Sequence, residues 1–212
     1  PKEVVVTLLP APGSTEQGIF GMVMRQGTPS AVIYFGGDSP SLRLRDDWLA
    51  VHELYHIHNP VVTRKIPWLV EGFTTYYQEV LRGRAGALST HETWESLYDG
   101  FARHCQPVDG RSLLDESRQM YESHRYTRVY WGGACLAFLV DVEVRKISSG
   151  KRSLDDLLRE LHKSSLGEAM SQDQLIEALE RGSGAPVRAW LSERKALPLA
   201  KTYERLGIVP ID

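Results

Sequence analysis

The sequence predicts an α+β fold, a small N-terminal sheet followed by a mainly helical lobe, and three patterns carry that prediction. Val4 to Leu9 and Ala31 to Phe35 are short β-branched and aromatic runs bounded by Pro and Gly, as strands are, and Phe20 to Met24 reads as a strand between them. Beyond Asp38-Ser39-Pro40 the apolar residues fall at helical spacing, through Leu42, Leu44, Trp48, Leu49, Val51 and Tyr55. Capping signatures then open further helices. Ser89 with Glu92, Ser153 with Asp156 and Ser171 with Gln174 each pair a hydroxyl with an acid or amide three residues later.

Taken in order, the sheet is expected over about residues 1–40 and the helical lobe over about 41–212. The first helix should run from about 43 to 57. Pro60 and Pro67 bracket a short connection, and Pro67 suits an early helical position, where its missing N–H has no partner to lose. A long apolar helix from Val129 to Ile147 should stop at Ser148-Ser149-Gly150. With 212 residues, 42% of them apolar, and no repeat or linker, one domain with one sizeable core is expected.

Composition narrows the function classes. Net charge is −2, with 25 basic and 27 acidic residues interspersed, so no basic stripe invites nucleic acid or an anionic membrane. No apolar run approaches the roughly 18 residues of a spanning helix. The chain opens at Pro1 without a methionine, so processing or a longer precursor is expected, and the compartment stays open. Cys105 and Cys135 are too few for a disulfide framework and read as free, buried thiols, Cys135 lying in the apolar run Ala134 to Val140.

The chemistry concentrates in His52-Glu53-Leu54-Tyr55-His56, followed fifteen residues later by Glu71 in Trp68-Leu69-Val70-Glu71-Gly72. Residues four apart share a helix face, so His52 and His56 can offer two imidazoles to one metal with Glu53 beside them. Two ligands do not hold zinc well. Catalytic sites use three and leave a position for water, and two histidines with one glutamate is a known set, which makes Glu71 the third ligand of a Zn2+ site. A competing subclass needs glycine and histidine where this chain has Asn59 and Val62. His58, two residues from His56, points elsewhere on a continuing helix and reads as a surface or supporting histidine. His91, His104, His124 and His162 have no ligand spacing among themselves and read as surface residues.

His52 to Asn59, with Trp68-Leu69-Val70-Glu71-Gly72-Phe73-Thr74-Thr75-Tyr76-Tyr77, resembles the glycyl aminopeptidase family of zinc peptidases, within the gluzincin group that includes aminopeptidase N and thermolysin. Tyr130-Trp131-Gly132-Gly133-Ala134 and the segments Leu139 to Arg145 and Gly150 to Arg159 look like that family's tyrosine helix and its continuation. The resemblance implies a zincin catalytic domain with zinc between sheet and helical lobe, and a peptide or protein as substrate. It also implies Tyr130 as the oxyanion partner, where the residue by itself also reads as an amphipathic core tyrosine; Tyr126, one helical turn earlier, is its rival, and Tyr76 and Tyr77 read as helix packing rather than catalysis. Departures are visible. The link from Ile57 to Pro67 is short, Gly132 stands where lysine is common, and Thr75 replaces the aspartate that orients a histidine in thermolysin-like enzymes, leaving a hydroxyl as a possible acceptor. The accessory domains of typical relatives are absent from this sequence.

On that reading zinc lowers the pKa of a water and Glu53 acts as general base, taking its proton as the oxygen attacks a peptide carbonyl. Gly18 and Gly21 either let an edge strand approach the substrate backbone or mark a turn and a bulge. The stretch Gly18 to Gly27 carries no acid to hold a free amino group, so N-terminal trimming and internal cleavage both stay open. The alternative class is a non-catalytic peptide-binding or scaffold module on a zincin fold.

Overall fold

The computed structural model describes residues 3–38, 47–107, 109–165 and 168–209. Three strands, β1 (Val5–Ala11), β2 (Gly18–Met24) and β3 (Ser30–Gly36), precede ten helices among the described residues. These are α1 (Trp48–His56), α2 (Pro67–Arg84), α3 (Thr90–His104), α4 (Leu113–Arg118), α5 (Met120–Ser123), α6 (Tyr126–Ile147), α7 (Leu154–Ser164), α8 (Gln172–Ser183), α9 (Val187–Ser192) and α10 (Leu199–Leu206). The α+β prediction holds. The chain forms two compact units, Pro1–Asn59 with Tyr77–Leu97, and Pro60–Tyr76 with Tyr98–Asp212.

In the first unit the sheet order is β1-β3-β2, with β1 parallel and β2 antiparallel to β3. Alternation along β3 buries Ala31 and Ile33 and leaves Tyr34 partly exposed, the pattern of a sheet covered on one face. Helix α1 covers it. Gly18 and Gly21 take their meaning here, because a Cβ on Gly18 would stand 2.7 Å from Asp47 Oδ1 and one on Gly21 would collide with the Glu53 side chain. Both glycines therefore let β2 lie close to α1, and the register between Gly18 and Phe20 shifts as a bulge does.

Helix α1 starts later than the spacing predicts. Asp47 caps it by accepting from the backbone N–H groups of Leu49 (2.8 Å) and Ala50 (3.1 Å). Positions 43–46 of the expected helix, with Leu42 and Leu44, fall outside the described residues. The three capping pairs are formed: Ser89 N–H donates to Glu92 at 2.7 Å, Ser153 N–H to Asp156 at 3.0 Å and Ser171 N–H to Gln174 at 2.7 Å.

The second unit is built on α6, which begins at Tyr126 and runs to Ile147 before Ser149 and Gly150 turn the chain at positive φ. Trp68, Phe73, Leu136, Leu139, Leu154, Leu175 and Leu179 are fully buried in its core. Asp141 ties three helices together. Its Oδ2 accepts from Tyr76 Oη (3.1 Å) on α2 and from Arg145 Nε (3.0 Å), and its Oδ1 from the first N–H of α7, on Leu154 (2.6 Å).

Cys105 and Cys135 form a disulfide, which corrects the reading of free thiols; both are buried, with Cα atoms 6.3 Å apart, inside the usual range for a bridge. Two cysteines thirty residues apart carry no framework pattern, and only the packing of the end of α3 against α6 brings them together. In the chain-entropy model a loop of this length is worth about 3–4 kcal/mol.

Helices α2 and α6 cross at Gly72 and Gly133 without room for a methyl group. A Cβ on Gly133 would clash with the Trp68 carbonyl oxygen and come within 2.7 Å of Gly72 Cα. Gly133→Ala should therefore cost about 3 kcal/mol and lower the melting temperature by about 6–12 °C, read in a thermal melt. A wild-type melt for that variant would mean that the helices do not touch there. At Gly132, where the family resemblance leads one to expect lysine, the Arg128 guanidinium occupies the space a side chain would need. Arg128 pairs with the fully buried Glu116 at 3.0 Å, joining α4 to the start of α6. Burial pushes the Glu116 carboxyl up and the Arg128 guanidinium down, and each charge partly offsets the shift of the other.

Candidate metal centre

The centre starts from the pitch of α1. His52 and His56 stand one turn apart on the same face, ring centroids 4.8 Å apart and planes at 83°. Trp48, one turn earlier, meets the His52 ring edge-on at 5.9 Å. His52 is buried, while His56 and Glu71 are half-buried. One ligand atom from each of His52, His56 and Glu71 lies within 4.8 Å of the others, the only such cluster of three metal-ligating side chains among the described residues. Two imidazoles and a carboxylate fit zinc in chemistry and in number, and leave one tetrahedral position over.

Glu53 follows His52 on α1 and is buried at 8% exposure, its side chain lying over Gly21 of β2. That burial keeps a carboxylate next to the histidines while the missing Cβ of Gly21 leaves it room. His58 is exposed and stacks on Tyr55, with ring centroids 6.1 Å apart, and is not part of the cluster.

The hydrogen bonds behind the histidines differ from the expectation. The Thr75 hydroxyl donates back along α2 to the Glu71 carbonyl at 2.8 Å, a common use of a helical threonine. His52 Nδ1 instead lies 2.8 Å from Gln78 Oε1. Gln78 is two turns past Glu71, and its place on the same helix face was the signal available in the sequence. His56 Nδ1 has the Asn59 side-chain amide at 3.1 Å, and the Asn59 carbonyl accepts from the Arg25 guanidinium, whose pKa burial lowers.

Tyr130 is half-buried in α6 and Tyr126 is exposed one turn before it. Tyr76 and Tyr77 are buried as packing residues, in line with the expectation. Tyr77 stacks on Tyr55, with centroids 4.7 Å apart and planes at 13°. Of the remaining histidines, His91 and His124 are exposed as expected, whereas His104 and His162, also read as surface residues, are half-buried, and none belongs to a ligand cluster among the described residues.

The profile of the M61 glycyl aminopeptidase family matches residues 55–130, a stretch that contains His56, Glu71 and Tyr130. No curated protein matches the chain. In three dimensions it is similar to an M1 zinc metallopeptidase mutant from Deinococcus radiodurans bound to a Tyr-Ser-Ala substrate, with a TM-score of 0.57 and 19% identity over 91% of this chain. Two structures of a two-domain M1 zinc metallopeptidase mutant, bound to L-arginine and to L-tryptophan, give TM-scores of 0.60 and 0.59 at 19% and 20% identity over 92% of this chain. The chain spans 40% of the length of each of these structures. Both findings support the gluzincin, aminopeptidase-like resemblance carried by the motif residues. Over residues 55–130 the chain matches the M61 glycyl aminopeptidases, and its fold is the one these M1 zinc metallopeptidases share.

Proposed function

We propose that this chain is the catalytic core of a zinc-dependent peptidase, its 212 residues acting as one catalytic unit. The convergence of His52, His56 and Glu71 within 4.8 Å, with Glu53 buried beside the first of them, carries the reading. When bound, zinc supplies a Lewis acid and lowers the pKa of a water from ~15.7 toward ~7. Glu53 takes the proton of the attacking water and returns it to the departing amine. The Tyr130 hydroxyl donates to the oxyanion that develops on the scissile carbonyl. The edge of β2, paired only with β3 among the described residues, runs beside Glu53 and offers backbone hydrogen bonds to an extended peptide. A peptide substrate is further supported by the tripeptide and amino acids held in the similar solved structures.

Metal content measured together with hydrolysis of a mixed-sequence peptide library tests the proposal. Products are read by mass spectrometry before and after chelation and zinc restoration. About one zinc per chain with cleavage lost on chelation is the expected result, and the cut positions separate N-terminal trimming from internal cleavage. Zinc binding without any cleavage would instead favour a peptide-binding module on the same fold.

A further inference from the structure

The hydrogen bonds behind His52 form a chain with only one consistent direction. Arg82 Nη1 donates to Glu79 Oε2 at 3.0 Å, and Gln78 Nε2 lies 2.9 Å from Glu79 Oε1. A guanidinium can only donate and a carboxylate only accept, so the Gln78 amide must turn its NH2 toward Glu79 and its oxygen toward His52. That oxygen, 2.8 Å from Nδ1, can only accept, so the His52 proton sits on Nδ1 and the lone pair on Nε2. His52, Gln78 and Glu79 are all buried, which keeps water from supplying substitute partners.

We propose that Gln78 is a positioning residue for the metal centre. It holds His52 in the Nδ1–H tautomer, which puts the ligating lone pair on Nε2, and Glu79 and Arg82 fix the sense of the chain. A neutral amide here does what a carboxylate commonly does for a metal-ligating histidine, and the negative charge sits one link further back, on Glu79. The part of this inference that concerns zinc rests on the proposed metal centre. The part that concerns the tautomer does not.

The test is a proton–nitrogen correlation spectrum of the metal-free protein with isotope-labelled histidines in mildly alkaline buffer, paired with zinc affinity by chelator competition. Comparison with His52→Ala assigns the His52 signals. His52 should show the Nδ1–H tautomer, the less common form of a free histidine side chain. In Gln78→Leu, similar in volume but without the acceptor, the proton should redistribute to Nε2 and zinc should bind about 10–100-fold more weakly. A wild-type His52 protonated on Nε2 would overturn the proposal, as would a Gln78→Leu protein in which either the tautomer or the affinity stays at the wild-type value. If that variant does not fold, the wild-type spectrum decides alone. A chain with the expected tautomer and zinc response that cleaves no peptide would keep this inference and lose the peptidase reading.

Discussion

Glu53→Gln should leave zinc bound and slow peptide hydrolysis by about 10²–10⁴-fold, the range that a positioned general base contributes. The substitution keeps the volume that packs against Gly21, so α1 and β2 need not shift. It also leaves the three proposed metal donors untouched and removes only a group able to hold a proton. Turnover and metal content are measured on the same preparation. Wild-type turnover in Glu53→Gln would sink the assignment of the base, whereas loss of both metal and activity would place Glu53 in the structure of the centre rather than in its chemistry.

Glu71→Ala should lower zinc affinity by more than about 100-fold, because losing even a residue that only supports a ligand costs 10–100-fold. The truncated side chain is half-buried and sits on a helix anchored at both ends of its first turns, through Trp68 N–H to Ser117 Oγ (3.0 Å) and Tyr76 to Asp141. Far-ultraviolet circular dichroism should consequently stay unchanged. Zinc content after dialysis against a chelator gives the readout. A variant that still retains one zinc per chain would refute Glu71 as a ligand, and cleavage by that variant would remove it from the mechanism as well.

The contrast between Thr75 and Gln78 shows where local reasoning stops. Sequence spacing puts Thr75 one turn past Glu71 and Gln78 about two turns past it, and either could face a histidine on another helix. Which one does depends on how α1 and the C-terminal half of α2 are rotated and shifted, a property of packing that no single helix encodes. The same holds for Gly132. In the sequence it looks like a lost lysine, and in the fold it is the space into which Arg128 reaches to meet buried Glu116.

The pairing of His52 with His56 was legible from the sequence because the helical repeat alone places the two on one face, with Glu53 beside them, and the strands, caps and the stop after Ile147 were legible for the same reason: each depends on neighbours within a few residues. Only the tertiary structure decided the partner of His52, the disulfide between Cys105 and Cys135, and the glycine contact of α2 with α6. These join residues 26, 30 and 61 positions apart. At such separations the chain carries no periodic signal, and whether two side chains meet is set by how apolar helix faces fill the core.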